Sequence, residues 1–177
     1  MRFSRTNLPG AFIVDIERHA DERGFFARTW SAEEFGSHGL SKTLSQCSMS
    51  HNVRKGTLRG MHYQAAPHEE AKLVRCTRGA IHDVALDLRP GSPTRHRWTA
   101  VELSADNRRM LFVPEGVAHG FQTLVDDTEV FYQISRFHQP DAQRGVRWHD
   151  PALGIPWPVR DTIVSARDAA LPLLADL

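Results

Sequence analysis

The chain has 177 residues, with 22 Lys or Arg against 21 Asp or Glu and a net charge of +1. Hydrophobic residues at 41% and charged residues at 24% describe an ordinary globular chain, which excludes fibrous and disordered classes. The basic residues are scattered, so no nucleic-acid partner is expected. No apolar run approaches the roughly 18 residues of a membrane span, so no membrane association is expected either. The first residues turn charged too early for a secretory signal. Two cysteines, Cys47 and Cys76, make neither a disulfide framework nor a CxxC metal pair. A cytoplasmic setting with reduced thiols follows as the expectation. With no repeat, low-complexity tract or linker, residues 1–177 read as one domain.

Taken in chain order, the first element is an extended segment around Ile13, Val14 and Ile16. Ser31 followed by Glu34 is a capping-box signature, and it predicts a short helix over Ala32–Ser37. From about Leu44 to Phe137 the pattern is short and strand-like. The strands are expected at 72–77, 80–88, 97–103, 110–113 and 128–134, separated by turns such as Arg78-Gly, Pro114-Glu-Gly and Asp126-Asp. Such strands, with no long helical period between them, predict an antiparallel sandwich or barrel. Alternation puts Ile81, Asp83, Ala85 and Asp87 on one face of their strand, so the Asp83 carboxylate is expected to look into the interior. The Pro-rich segment from Trp148 to Pro158 cannot be an inner strand and should wrap the surface. Ser165 opens a final helix at about 166–171.

Two stretches carry the chemistry. Gly56-Thr-Leu-Arg-Gly-Met-His62-Tyr-Gln64, followed by Lys72 and Gly79, is the first; Pro114-Glu-Gly116-Val-Ala-His119 is the second. Together they resemble the two signature motifs of the cupin superfamily, which implies an all-β jelly-roll barrel with short flanking helices. The second motif's leading glycine is replaced by Arg108. The places that hold metal ligands in metal cupins carry His62, Gln64, Lys72 and His119 here. An ammonium repels a cation and offers it no lone pair, so neither a catalytic metal nor any other cofactor is expected.

A longer series, in order, includes Asp21-Glu-Arg-Gly-Phe-Phe, Leu58-Arg-Gly-Met-His-Tyr-Gln, Lys72-Leu-Val-Arg and Asp83-Val-Ala-Leu-Asp-Leu-Arg. It continues through Ser92-Pro-Thr, Trp148-His-Asp-Pro, Ile155-Pro-Trp-Pro and Ser165-Ala-Arg-Asp. Over nearly the whole chain this resembles the dTDP-4-dehydrorhamnose 3,5-epimerase family. The resemblance implies cofactor-independent epimerisation of a nucleotide-linked 4-keto-6-deoxy sugar. The C4 ketone acidifies the C3 and C5 hydrogens, so the reaction needs a base, a cation for the enolate and an acid on the other face. By resemblance His62 is the base, Asp168 the carboxylate that fixes its tautomer, Tyr132 the opposing acid and Lys72 the cation at the enolate oxygen. Arg23 and Arg59 match groups at the sugar nucleotide and its diphosphate, and His119 lies near the reacting sugar. Phe26, Arg28, Gln46, Ser48, His138, Gln143 and Arg167 complete the implied substrate-binding set. The resemblance also implies a homodimer with N-terminal strands crossing to the partner.

Five positions depart from the family pattern at or near its nucleotide end. Arg28 and Gln143 replace glutamates, Ser48 an asparagine, His138 a base-stacking tyrosine and Arg167 a lysine. The catalytic set is intact. Three alternatives stay open on the sequence: an epimerase restricted to C3 or C5, one acting on a GDP-, CDP- or UDP-linked sugar, and a binding module without catalysis.

Overall fold

In the computed structural model, which describes residues 1–177, almost all regular structure is strand. The elements are β1 (Arg2–Arg5), β2 (Phe12–Asp15), β3 (His19–Asp21), β4 (Gly24–Phe26), α1 (Ala32–Ser37), β5 (Gln46–Asn52) and β6 (Leu58–Gln64). They continue with β7 (Lys72–Arg78), β8 (Ala80–Asp87), β9 (Trp98–Ser104), β10 (Met110–Val113), β11 (Val117–Thr123), β12 (Thr128–Ile134), β13 (Gln143–Gly145) and α2 (Ala166–Ala169). One antiparallel sheet has the order β1-β2-β10-β7-β12-β5, and the sheet facing it has the order β13-β6-β11-β8-β9. This is the expected jelly roll. The short hairpin of β3 and β4, and the strand β13, had no clear signal in the sequence.

Strand alternation sorts the side chains into an inner core and two outer ones. Ile81 and Ala85 of β8 join Val74, Leu111, Phe121 and Val130 between the sheets. Val84 and Leu86, on the other face of β8, pack with Met61 and Leu153. The Pro-rich tail contributes Ile155 and Trp157 to that outer core, which is why it lies over the sheet rather than in it. On the opposite side, Phe35 of α1 seals Leu73, Met110 and Phe112. The Ser31 side chain accepts the Glu34 N–H, so α1 starts and stops at the expected residues. Helix α2 ends at Ala169, two residues earlier than its sequence suggests, because Leu171 precedes Pro172 and is driven out of helical φ/ψ.

One irregularity shapes the interior. The β6–β11 ladder shifts register between His119 and Phe121, where His119 pairs with His62 and Phe121 with Arg59. The backbones approach so closely there that a Cβ on Gly60 would lie 2.5 Å from the Gly120 Cα, and one on Gly120 would lie 2.5 Å from the Met61 Sδ. Arg59 and His62, three residues apart, would fall on opposite faces of a regular strand. The shift lets both face the same cavity.

Candidate active site

Between the two sheets lies a cavity of about 440 Å³. Its walls come from opposite layers. Strands β6 and β11 supply Arg59, His62 and His119 from the five-stranded sheet, while β5, β7 and β12 supply Gln46, Ser48, Lys72 and Tyr132 from the six-stranded one. Arg167 and Asp168 come from α2, Gln143 from β13, and His138 from the segment before it.

His62 Nε2 lies 2.8 Å from the Asp168 Oδ1, and the other carboxylate oxygen accepts the Gly60 N–H at 3.3 Å. The Ser165 side chain accepts the Asp168 N–H, so the cap that starts α2 also orients the carboxylate toward β6. Burial works against ionisation of Asp168. The hydrogen bond and charge of His62, the Gly60 amide and the Arg167 charge outweigh it, and they hold the carboxyl below its ordinary value of 3.8. With one ring nitrogen engaged, the other is left to take a proton.

Tyr132 stands on the facing sheet. Burial pushes its phenol well above the ordinary value of 10.0, the Ser50 hydroxyl opposing this only in part. It therefore stays protonated at neutral pH, with an O–H to donate. Its hydroxyl lies 3.1 Å from the Ser50 Oγ. His119, whose ring stands 6.2 Å from that of Tyr132, is tied to Asp83 at 2.7 Å, and Asp83 is fully buried as its strand face implies. The two arginines of the cavity are each held by a neutral amide. Arg59 donates to the Asn52 Oδ1 at 2.8 Å, and Arg167 donates to the Gln143 Oε1 at 2.6 Å. The His138 N–H donates to the Gln46 side chain.

Three of the expected binding residues do not reach this cavity. Arg23 sits in the β3–β4 hairpin with its side chain 84% exposed and paired to Asp21. Phe26 is 70% exposed, and Arg28 follows it at the surface. The hairpin projects from its own barrel instead of folding over it. Conversely, sequence reasoning passed over Ser50, Asn52 and Glu70, and it read Ser165 only as the start of the final helix. Ser50 matters through the pairing of β5 with β12, and Asn52 through the approach of β5 to β6 of the facing sheet, neither of which a local motif announces. Glu70 lies two residues before Lys72 and just ahead of β7, so the strand pattern did not include it.

Fold and site together define a cupin-type barrel equipped for proton transfer on an anionic ligand. The model of the dTDP-4-dehydrorhamnose 3,5-epimerase family matches residues 5–176, and the chain belongs to that family. It is similar to the dTDP-4-dehydrorhamnose 3,5-epimerase of Methanothermobacter thermautotrophicus, at 45% identity over 94% of this chain and 91% of that protein. The crystal structure of the Elizabethkingia anophelis enzyme of that name superposes with a TM-score of 0.97 at 34% identity, covering 99% of this chain and 97% of that one. That of the Bacillus anthracis enzyme, with TDP and PPi bound, superposes at 0.94 with 40% identity, covering 98% and 99%. No helix is long and apolar enough to cross a membrane.

Proposed function

We propose that this epimerase converts dTDP-4-dehydro-6-deoxyglucose to dTDP-4-dehydrorhamnose in the cavity between its sheets. The observation that carries the assignment of roles is the His62–Asp168 pair, which opens into the same cavity as Tyr132 on the opposite wall. His62 takes the proton from C3 or C5, and the C–H electron pair becomes the C=C bond of an enolate. The negative charge gathers on O4, where the Lys72 ammonium stabilises it. Tyr132 then gives its proton to the same carbon from the other face, inverting it. The tyrosinate recovers a proton and His62 releases the one it took, through solvent or the next half-reaction. Two facing sheets supply the two-sidedness that inversion requires.

The arginines at the cavity, each held by a neutral amide, keep their full charge for the diphosphate. Gln46, Ser48, His138 and Gln143 are assigned to the nucleotide, and His119 to the sugar. The chain acts as one unit around this site. Its unpaired thiols, Cys47 and Cys76, fit a reducing, cytoplasmic setting.

A homodimer is part of the same reading. Beyond α1, the outer face of the six-stranded sheet carries Met49, 61% exposed, beside Phe131 and Arg75. On that face the Arg75 Nε and the Gln133 Oε1 are buried without a hydrogen-bond partner. A second copy covering this face would bring the β3–β4 hairpin, with Arg23, Phe26 and Arg28, toward the partner's cavity. Light scattering should give twice the chain mass, and Arg23→Ala should raise KM more than it lowers kcat.

The experiment for the activity is solvent-deuterium incorporation into dTDP-4-keto-6-deoxyglucose, read by NMR. Label at both C3 and C5, abolished in His62→Ala, is the expected result. Label at one carbon alone would overturn the 3,5 assignment.

A further inference from the structure

Glu70 and Lys72 are two residues apart, and both side chains reach the same cavity wall. Lys72 opens β7, where its backbone is in register with Ile134 of β12 and Val113 of β10. Between the two charged residues, the Ala71 N–H donates to the Ser135 Oγ at 2.8 Å, and the Ala71 carbonyl accepts the Ser135 N–H at 3.0 Å. The main chain that carries both side chains is therefore fixed. Glu70 Oε1 and Lys72 Nζ lie 2.9 Å apart, with side-chain exposures of only 10% and 12%. Both lie on the cavity wall, and no other ion pair reaches either.

A pair this enclosed differs from a solvated surface pair, because loss of one partner strands the other's charge. It also differs from its neighbours. The arginines of the cavity are held by uncharged amides, and among its lysine and arginine side chains only Lys72 is held by a carboxylate. A lysine side chain has four rotatable bonds and no directional preference of its own. To meet an oxyanion at one fixed place it needs an anchor. An ammonium has three N–H donors, so one can stay on Glu70 while the others turn to the substrate.

We propose that Glu70 is a positioning residue for the epimerisation: its carboxylate holds the Lys72 ammonium at the point where the enolate oxygen forms, and it acts on the reaction only through Lys72. The inference rests on the assignment of Lys72 given above. Its signature is a change in turnover rather than in binding, and non-additivity with Lys72.

The test measures kcat and KM on dTDP-4-keto-6-deoxyglucose for Glu70→Ala, Glu70→Gln, Lys72→Met and the double variants. Glu70→Ala should lower kcat about tenfold to a hundredfold and change KM less than about twofold. Glu70→Gln keeps an acceptor oxygen for the ammonium and should recover part of that loss. It is also the variant to read if Glu70→Ala fails to fold. In the Lys72→Met background neither change should lower kcat further. An equal loss in both backgrounds would overturn the proposal, since Glu70 would then act without Lys72. Full turnover in both Glu70 variants would also overturn it while leaving Lys72 in place. Full turnover in Lys72→Met would overturn both the proposal and the assignment on which it rests.

Discussion

His62 and His119 are cross-strand partners, and the Nε2 of each meets a carboxylate at nearly the same distance, 2.8 Å to Asp168 and 2.7 Å to Asp83. The two pairs differ in where the carboxylate comes from. Asp83 is on β8, beside β11 in the same sheet, so the ladder fixes it, and its pair is 5% and 0% exposed. Asp168 is delivered by a one-turn helix in the tail, and its pair is 27% and 7% exposed. A histidine locked by its own sheet is a rigid part of the cavity wall. One oriented from outside the sheet keeps a face open to a ligand. The same hydrogen bond thus fixes a cavity wall in one place and, on the proposed mechanism, orients a base in the other.

Breaking each pair should separate these roles. His62→Ala should lower the rate of deuterium exchange at C3 and C5 by about a thousandfold, the scale of a lost general base, with little change in melting temperature. His119→Ala strands the Asp83 carboxylate in the core. By the usual cost of such a loss it should destabilise the fold by about 3–5 kcal/mol, seen as a drop of about 10 °C or more in a thermal melt. If His119→Ala melted like the parent, the contrast between the pairs would fail.

Asp168→Asn should keep the fold and lower kcat by about a hundredfold or more, because an amide no longer fixes the tautomer or stabilises the imidazolium. Tyr132→Phe should cut net epimerisation about a hundredfold, with exchange at the same carbons persisting. Removal and return of the proton would then both run through His62. Exchange lost together with inversion would place the phenol in the removal step.

How much of this could be read in the sequence depends on how local the signal is. The Ser31–Glu34 cap, the alternation that buries Asp83 and the proline-driven surface path of 148–158 are encoded within a few residues, and each holds in the structure. The end of α2 turned on a single residue pair, Leu171-Pro172. Ser50 on Tyr132 and Asn52 on Arg59 depend on which strands become neighbours, which a pattern of turns does not specify. The hairpin of Arg23, Phe26 and Arg28 was legible as sequence but not as placement, since its location in one chain follows from backbone geometry alone. The β6–β11 shift is the sharpest case. Strict alternation would separate Arg59 from His62, and only the close glycine pair explains why both face the cavity.

That glycine pair offers a smaller test. A Cβ at Gly120 would meet the Met61 Sδ at 2.5 Å and the Arg59 carbonyl at 3.0 Å. Gly120→Ala should therefore cost about 1–3 kcal/mol and lower kcat by moving His62 relative to Tyr132, both read on one purified sample.

The smallest effect concerns a histidine outside both pairs. His82 lies beneath the tail, with its ring 5.9 Å from that of Trp157, and its Nε2 is buried without a partner. Burial lowers its pKa from the ordinary 6.5, with Asp83 and Glu102 opposing only in part. The unfolded chain then binds a proton that the folded chain resists. Stability is unaffected well above pH 6.5 and falls as the pH drops below it, until the folded histidine also titrates. His82→Phe removes this proton linkage. Its melting temperature should decline less steeply than the parent's below pH 6.5, by no more than the roughly 2–4 °C that one kcal/mol produces in a chain of this size. Parallel melting curves for the two proteins down to pH 5 would show that the tail shields His82 less than its burial implies, and that the outer core beneath Trp157 admits water.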